Sequence, residues 1–154
     1  MPVAIEELRA EAFAPFGRCV DVPEREPDSV GDPWRWWAET TLLDRGERPY
    51  AVGYLDVEPG GAEFDWAERH ERSEEMVIPV AGELLVYVAA GDPADFRVFR
   101  ARPGQAVVLA KGTWHGAPLA VSAPARAIVL LVEGTGEHDT AMVRFEEVKV
   151  EVGR

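Results

Sequence analysis

The chain has 154 residues, a length typical of a single folded domain, and we therefore expect one domain over residues 1–154. Its 28 acidic and 16 basic residues give a formal charge of −12, which repels nucleic-acid phosphates and anionic membranes, so neither is expected as a partner. The first residues show no basic region followed by an apolar run, and no apolar run approaches the ~20 residues of a membrane span, so neither export nor membrane insertion is expected. A lone cysteine, Cys19, cannot form an internal disulfide and favours a reducing cytoplasm.

The first 33 residues predict a short helix followed by an arm. Ile5, Leu8 and Ala12 fall at helical spacing, and Pro15 and Gly17 follow them, so the pattern predicts one amphipathic helix within residues 5–13. Residues 21–33 are rich in prolines and acidic side chains, which is typical of a surface loop or of an arm laid over a neighbour. We therefore expect a helix and arm over about 1–33 and a barrel over about 34–150.

Short β-branched and aromatic segments separated by glycine-containing turns fill the rest of the chain, which is typical of antiparallel strands. The predicted strands are 36–43, 50–57, 62–69, 75–79, 83–89, 97–100, 106–109, 126–133 and 141–150. Many short strands and a single predicted helix favour an all-β fold closed into a jelly-roll-like, double-sheet barrel, because closure removes exposed strand edges.

Two imidazoles and two carboxylates are predicted to meet inside this barrel. Glu68 and His70 are two residues apart on a predicted strand, so their side chains share a face, and Glu75 begins the next strand. His115 follows a glycine turn and is placed on an adjacent strand. This donor set suits a divalent ion such as Mn, Fe, Ni or Zn, and the pattern does not choose among them.

Other readings of these residues stay open. Seven acidic residues fall between Glu58 and Glu75, so a solvated acidic rim is the ordinary alternative for Glu68. The third histidine, His138, lies in a predicted loop and is expected to be exposed. Trp34, Trp36 and Trp37 favour core or interface packing, with a stacking wall for a ligand as the alternative.

The spacing of this cluster resembles the two motifs of the cupin family. The first is Gly61 followed by Glu68-x-His70-x4-Glu75-x6-Gly82, and the second is Gly104-x5-Ala110-x-Gly112-x2-His115. Glu68 stands where the first ligand histidine usually stands, and Ala110 where a proline usually stands. The resemblance implies a double-stranded β-helix with a metal site inside the barrel.

Three shorter segments resemble the ureidoglycolate lyases, a family of cupins that release urea. They are Phe-Ala-Pro-Phe-Gly at 13–17, Glu-Arg-His at 68–70 with the block at 78–89, and Trp-His at 114–115 with Pro-Leu at 118–119. The chain departs from the family pattern at Glu75, where glutamine is usual, at Ala81, where lysine is usual, and at Gly116, where a second histidine is usual. The family's Asn-Gly and aromatic-His segment also differs, at residues 31–38.

The resemblance implies an enzyme that splits a ureido-substituted 2-hydroxy acid into glyoxylate and urea. Glu75 would act as general base, the four-residue cluster would hold the metal, and Arg72 or Lys111 would hold the substrate carboxylate. Exposed basic residues are also commonly just solvated. The departures leave two alternatives: a metal-bearing cupin that binds or senses a small acid or sugar without converting it, or another cupin enzyme, an isomerase or a dioxygenase.

We also expect a homodimer. The resemblance implies pairing of small cupins through an edge sheet, and the tryptophan-rich segment near residue 36 would suit such an interface.

Overall fold

The computed structural model describes residues 1–32 and 35–153, which form short strands and two single-turn helices. The strands are β1 Val3–Glu7, β2 Gly17–Val20, β3 Ser29–Val30, β4 Arg35–Trp36, β5 Tyr50–Val57, β6 Glu63–Arg69, β7 Glu75–Ala81, β8 Leu84–Ala90, β9 Arg97–Ala101, β10 Ala106–Leu109, β11 Thr113–His115, β12 Ala125–Val132 and β13 Ala141–Glu151. The helices are α1 Ala10–Phe13 and α2 Thr135–His138. Neither of them has the length or the apolar character needed to cross a membrane.

The strands form a closed barrel backed by a second sheet. The barrel runs β1-β13-β6-β11-β8-β9, and the second sheet runs β2-β10-β7-β12-β5; β3 and β4 pair only with each other. Neighbouring strands are antiparallel except for β1, which pairs in parallel with both β13 and β9. The all-β, double-stranded β-helix expected from the sequence is confirmed, including a short N-terminal helix.

The alternation of side chains along β8 divides the core into two clusters. Leu84, Val86 and Val88 belong to the first, together with side chains of the five-stranded sheet. Leu85 and Tyr87 point to the opposite face and belong to the second, which is built from barrel strands. Burying each such aliphatic side chain stabilises the fold by about 1.5–3 kcal/mol. Strand β8, which pairs with the His115-bearing strand β11, is therefore fixed on both faces.

The helix predicted within residues 5–13 is wrong in its first half. Residues Val3–Glu7 form β1, whose Ile5 lies opposite Val98 of β9 and whose Val3 lies opposite Val150 of β13. Helix remains only at Ala10–Phe13. A single turn of isolated helix is marginal, whereas the strand completes hydrogen-bonded ladders on both sides and closes the barrel, so tertiary pairing overrides the helical spacing.

The strand predicted over 36–43 is also wrong, because regular structure there is limited to Arg35–Trp36 and the following residues form bends and extended loop. Side-chain contacts hold this segment instead: Trp37 Nε1 donates to the carbonyl of Arg25 at 2.8 Å, and Asp28 accepts from the main-chain nitrogen of Ala38 at 2.7 Å. Trp34 lies outside the described residues. The predicted loop at 134–140 contains the helical turn α2.

An ion pair between Arg18 and Glu74 joins β2 to the segment that directly precedes β7. The guanidinium donates to both carboxylate oxygens of Glu74, at 2.8 and 3.0 Å, and to Thr41 Oγ1 at 2.9 Å. Glu74 is buried and also accepts from the main-chain nitrogen of Asp44 at 2.9 Å. Burial opposes charge on Glu74, but the hydrogen bond and charge of Arg18 outweigh it and lower the pKa of this carboxyl below its ordinary 4.5.

Replacing Arg18 by methionine is expected to reduce the free energy of unfolding at neutral pH by about 2 kcal/mol, because a buried carboxylate loses its charged partner. The pKa of Glu74 in the folded state lies below its ordinary 4.5. The stabilisation by the ion pair is therefore fully present above pH 4.5 and is lost as the pH falls through the lowered pKa. The difference between variant and wild type should therefore shrink in acid. Urea unfolding at neutral and acid pH measures it.

Arg126→Met is the matched control for this prediction. Arg126 pairs with Asp56 at 3.3 Å, and both side chains are more than half exposed, so its loss should cost no more than ~1 kcal/mol. A destabilisation by Arg18→Met that stays constant across the pH range would contradict the assignment to Glu74.

Candidate metal centre

Three adjoining segments bring the candidate residues to one place. Glu68 lies on β6 directly opposite His115 of β11 in the antiparallel register, and His70 follows the end of β6. The main-chain nitrogen of Gly112 donates to the carbonyl of His70 at 2.7 Å, which joins the two histidine-bearing segments. Glu75 is the first residue of β7, on the second sheet. The cluster therefore lies where the barrel faces that sheet.

The four side chains converge as the spacing predicts. Glu75 Oε2 lies 3.1 Å from His70 Nε2 and 3.4 Å from His115 Nε2. Glu68 Oε1 lies 3.9 Å from His70 Nε2, and the two imidazole centroids are 5.0 Å apart. Donor atoms of Glu68, His70 and His115 all lie within 4.8 Å of one another, a spacing that would permit them to ligate one ion.

Main-chain carbonyls orient both imidazoles. His70 Nδ1 lies 2.8 Å from the carbonyl of Asp139, and His115 Nδ1 lies 2.9 Å from the carbonyl of Thr113. A carbonyl oxygen only accepts, so each Nδ1 carries the proton and donates. Both Nε2 atoms therefore face Glu75, in the arrangement by which proteins present histidine to a metal.

Charge in the cluster is coupled to the two imidazoles. Burial raises the pKa of Glu75, but the neighbouring His115 and His70 more than offset this and bring the pKa to about 2. Burial lowers the pKa of His70, but its hydrogen bonds to Glu75 and Asp139, and the nearby carboxylates of Glu75 and Glu68, raise it overall. Without a metal, Glu75 is thus a carboxylate, and these contacts stabilise the charged form of His70 relative to a free imidazole.

One buried atom of this cluster has no hydrogen-bond partner. Among the described residues, His115 Nε2 is inaccessible to solvent and makes no hydrogen bond, since the 3.4 Å approach of Glu75 is too long to satisfy it. An unpaired buried nitrogen costs about 1–3 kcal/mol. A divalent cation between the imidazoles and carboxylates would satisfy this nitrogen and the negative charge together, so the residues present fit a metal of the borderline class.

The two cations predicted to bind substrate lie at the loops around the cluster. Lys111 precedes the Gly112 turn, and its Nζ lies 2.6 Å from Asp44 Oδ2. Arg72 is exposed, in the loop that joins β6 to β7, and its main-chain nitrogen donates to Asp139 Oδ2 at 2.8 Å. Asp139 contacts His70 on the Nδ1 side of the ring, so Arg72 is anchored on the side away from Nε2.

Sequence patterns did not identify Asp139, which connects His70 to the loop that follows β6. Its carbonyl orients His70, and its carboxylate accepts from the main-chain nitrogens of Glu71 at 3.0 Å and Arg72 at 2.8 Å. Asp139 is 69 residues from His70 in the chain, so no local pattern links them. His138 beside it is exposed, as predicted, with a side chain 60% accessible.

Gly116 leaves room for Tyr87. A Cβ atom at position 116 would lie 1.6 Å from the Tyr87 hydroxyl oxygen, which is closer than any non-bonded contact allows. That hydroxyl donates to the carbonyl of Trp66 at 3.0 Å, and the ring stacks on Phe64 with centroids 3.9 Å apart. The absence of a side chain at position 116 is therefore imposed by a buried tyrosine.

Together, a double-stranded β-helix and a buried histidine–carboxylate cluster define a cupin with a possible metal site. Among solved structures, the chain is similar to the capsular polysaccharide assembling protein CapF from Staphylococcus aureus, with a TM-score of 0.51 and 15% identity over 70% of this chain and 28% of that one.

The model of the ureidoglycolate lyase family matches residues 1–152, and the chain belongs to that family. A ureidoglycolate lyase of Rhodobacter capsulatus is 33% identical, with 87% of this chain and 88% of the relative aligned. One from Brucella anthropi is 30% identical over 89% of this chain and 85% of the relative. The resemblance read from three short segments is thereby confirmed.

Proposed function

We propose that the protein is a ureidoglycolate lyase, which splits a ureido-substituted 2-hydroxy acid into glyoxylate and urea in a metal-dependent cupin pocket. The observation that carries the proposal is the convergence of His70, Glu75 and His115, with His115 Nε2 unsatisfied, in a chain that belongs to this family. The curated relatives carry the same activity in their names.

The reaction needs a proton removed from the substrate hydroxyl and a proton supplied to the departing nitrogen. The O–H proton leaves, the O–C bond becomes the aldehyde C=O, the C–N bond breaks, and its electron pair stays on the urea nitrogen, which is then protonated. One carboxylate can carry the proton between the two sites. We assign this role to Glu75, whose side chain is only 13% exposed and faces both imidazoles.

We propose Glu68, His70, Glu75 and His115 as the residues that hold the metal, which would be Mn, Ni, Fe or Zn. A bound divalent ion would supply charge that lowers the pKa of the substrate hydroxyl and stabilises the developing alkoxide. Glu68 is the most accessible of the four, at 27% of its side-chain surface, and Glu75 is the ligand we expect to be shared with catalysis.

The protein's negative charge disfavours approach of an anionic substrate, so local cations must offset it. We propose that Lys111 contacts the substrate carboxylate in exchange for Asp44, its partner at 2.6 Å. Arg72 is proposed to weaken the negative field at the rim, since it is exposed and forms no ion pair with a described acidic residue.

The proposal is tested with purified protein supplied separately with Mn, Ni, Fe or Zn and mixed with racemic ureidoglycolate. We expect glyoxylate and urea to form in equal amounts, faster than the spontaneous decay, from one enantiomer and only with metal. Chelated protein is the control. Turnover at the spontaneous rate with every metal would remove the lyase assignment.

A second candidate function is ligand binding without conversion, favoured by Gly116 and Ala81 in place of the family's histidine and lysine. A ligand that binds the folded state raises the unfolding temperature with concentration. A thermal-shift screen of small acids and sugars, followed by mass spectrometry of the mixture, separates the two candidates. Tight binding with unchanged ligand supports this reading, and appearance of product excludes it.

We further propose a homodimer that acts in the cytoplasm. β5 is an edge strand of the five-stranded sheet and exposes Val52 and Tyr54, at 71% and 63%. Trp36, in the tryptophan-rich segment, is 60% exposed. Apolar patches of this kind mark interfaces. Light scattering that gives 17.0 kDa, the mass of one chain, would contradict the dimer.

The single Cys19 suits a reducing compartment, and cell fractionation tests whether the protein lies in the cytoplasm.

A further inference from the structure

A cavity lies beside the metal centre, and basic side chains form part of its lining. Its volume is about 330 Å³, which is the size of a small-metabolite site. Arg45 and Arg48 approach from the turn before β5, Arg72 from the loop after β6, and His138 from α2. Four basic side chains from three separate loops thus meet at one cavity in a strongly acidic protein.

The three arginines have no acidic partner in the described part of the chain. Eight other arginines form ion pairs, which is expected where acidic residues outnumber basic ones. Arg45, Arg48 and Arg72 form none, although Glu47, Glu133 and Asp139 also line the cavity. The carboxylate of Asp139 is already engaged by two main-chain nitrogens. None of the three guanidinium groups therefore lies within ion-pair distance of these acids.

Two of these side chains are held in place by main-chain acceptors. Arg45 Nη1 donates to the carbonyl of Arg48 at 2.9 Å, and Arg48 Nη1 donates to the carbonyl of Glu133 at 3.3 Å. Gly134 permits this approach, because a Cβ there would come within 2.8 Å of Arg48 Nη1. Each guanidinium has further N–H groups that these bonds leave free.

The cavity is distinct from the proposed substrate site. It includes Asp139, whose carbonyl contacts His70 Nδ1, whereas the metal-facing atom of that imidazole is Nε2. The imidazole and Asp139 therefore lie between the two sites, and a ligand in this cavity leaves the metal centre free.

We propose that this cavity binds a small molecule through an oxyanion group, either a carboxylate or a phosphate. Guanidinium is the side-chain group best matched to both, since its planar N–H pairs bind two oxygens at once. Three guanidinium groups without acidic partners, two of them anchored, supply that recognition before any ligand arrives.

Isothermal titration of the purified protein with succinate and, separately, with inorganic phosphate tests the proposal and distinguishes the two sources of oxyanion. We expect saturable binding of at least one probe. The double variant Arg45→Gln/Arg48→Gln should weaken it by at least about tenfold, because it removes two of the three guanidinium groups that would donate charge-assisted hydrogen bonds to the oxyanion. Arg72 is left unchanged, since it also has a proposed part in attracting the substrate.

Two further variants assign the binding. Arg126→Gln removes an arginine of β12 that pairs with Asp56 and should leave the affinity unchanged. His115→Ala disrupts the metal centre and should also keep the affinity, which excludes a probe bound to metal and keeps this result separate from the lyase assay. Absence of binding by both probes would overturn the proposal, as would equal affinity in the double variant while circular dichroism shows it folded.

Discussion

Replacing His70 or His115 by alanine is expected to remove the bound metal and, with it, turnover. Each imidazole offers one of the two Nε2 atoms that face Glu75, so either change leaves too few donors. Changing even a residue that only supports a ligand costs about 10–100-fold in metal affinity, and loss of a ligand should cost more than 100-fold. Elemental analysis of the purified variants beside wild type measures the effect.

His138→Ala is the matched control, because this third histidine is exposed. It should retain the wild-type metal content. His115→Gln guards against a trivial loss of folding, since it fills most of the same buried space. The shared site is contradicted if a folded His70→Ala or His115→Ala variant keeps the same metal at the wild-type level.

Glu75→Gln is expected to reduce turnover by about 100–10,000-fold, the usual contribution of a positioned general base. Glutamine preserves the size of the side chain but cannot accept the hydroxyl proton. Glu68, His70 and His115 still offer donors within 4.8 Å of one another, so metal content should fall much less than in the histidine variants. Steady-state kinetics with elemental analysis of the same sample gives both quantities.

Glu71→Gln provides the comparison for Glu75. This carboxylate lies in the loop that leads to β7, is exposed and pairs with Arg69 at 2.8 Å, so its loss should leave kcat near the wild-type value. If turnover of Glu75→Gln falls only in proportion to its metal content, Glu75 is a ligand alone and the proton is carried by another group.

The barrel and the cluster were accessible from the sequence because both depend on short-range regularities. Alternation by two residues places Glu68 and His70 on one face, the turn at Gly112 precedes the strand that ends at His115, and Glu75 begins the strand that follows the loop after β6. Such patterns are local, so they can be recognised without knowledge of the tertiary fold. The same reasoning could not distinguish a ligand from a solvated acid at Glu68.

The features that were missed depend on contacts between distant parts of the chain. Val3 and Ile5 also satisfy a strand pattern, and only their partners on β9 and β13 decide between strand and helix. Likewise, Asp139 contacts His70 across 69 residues, and the arginine-lined cavity combines three loops. Neither arrangement leaves a signature in any single segment.

The contact between Gly116 and Tyr87 limits which side chains this chain accepts at position 116. Any side chain there would overlap the tyrosine hydroxyl, so histidine at 116 should not be accommodated while Tyr87 is retained. A histidine at 116 therefore requires a smaller residue at 87 at the same time, and the two positions can be exchanged only as a pair.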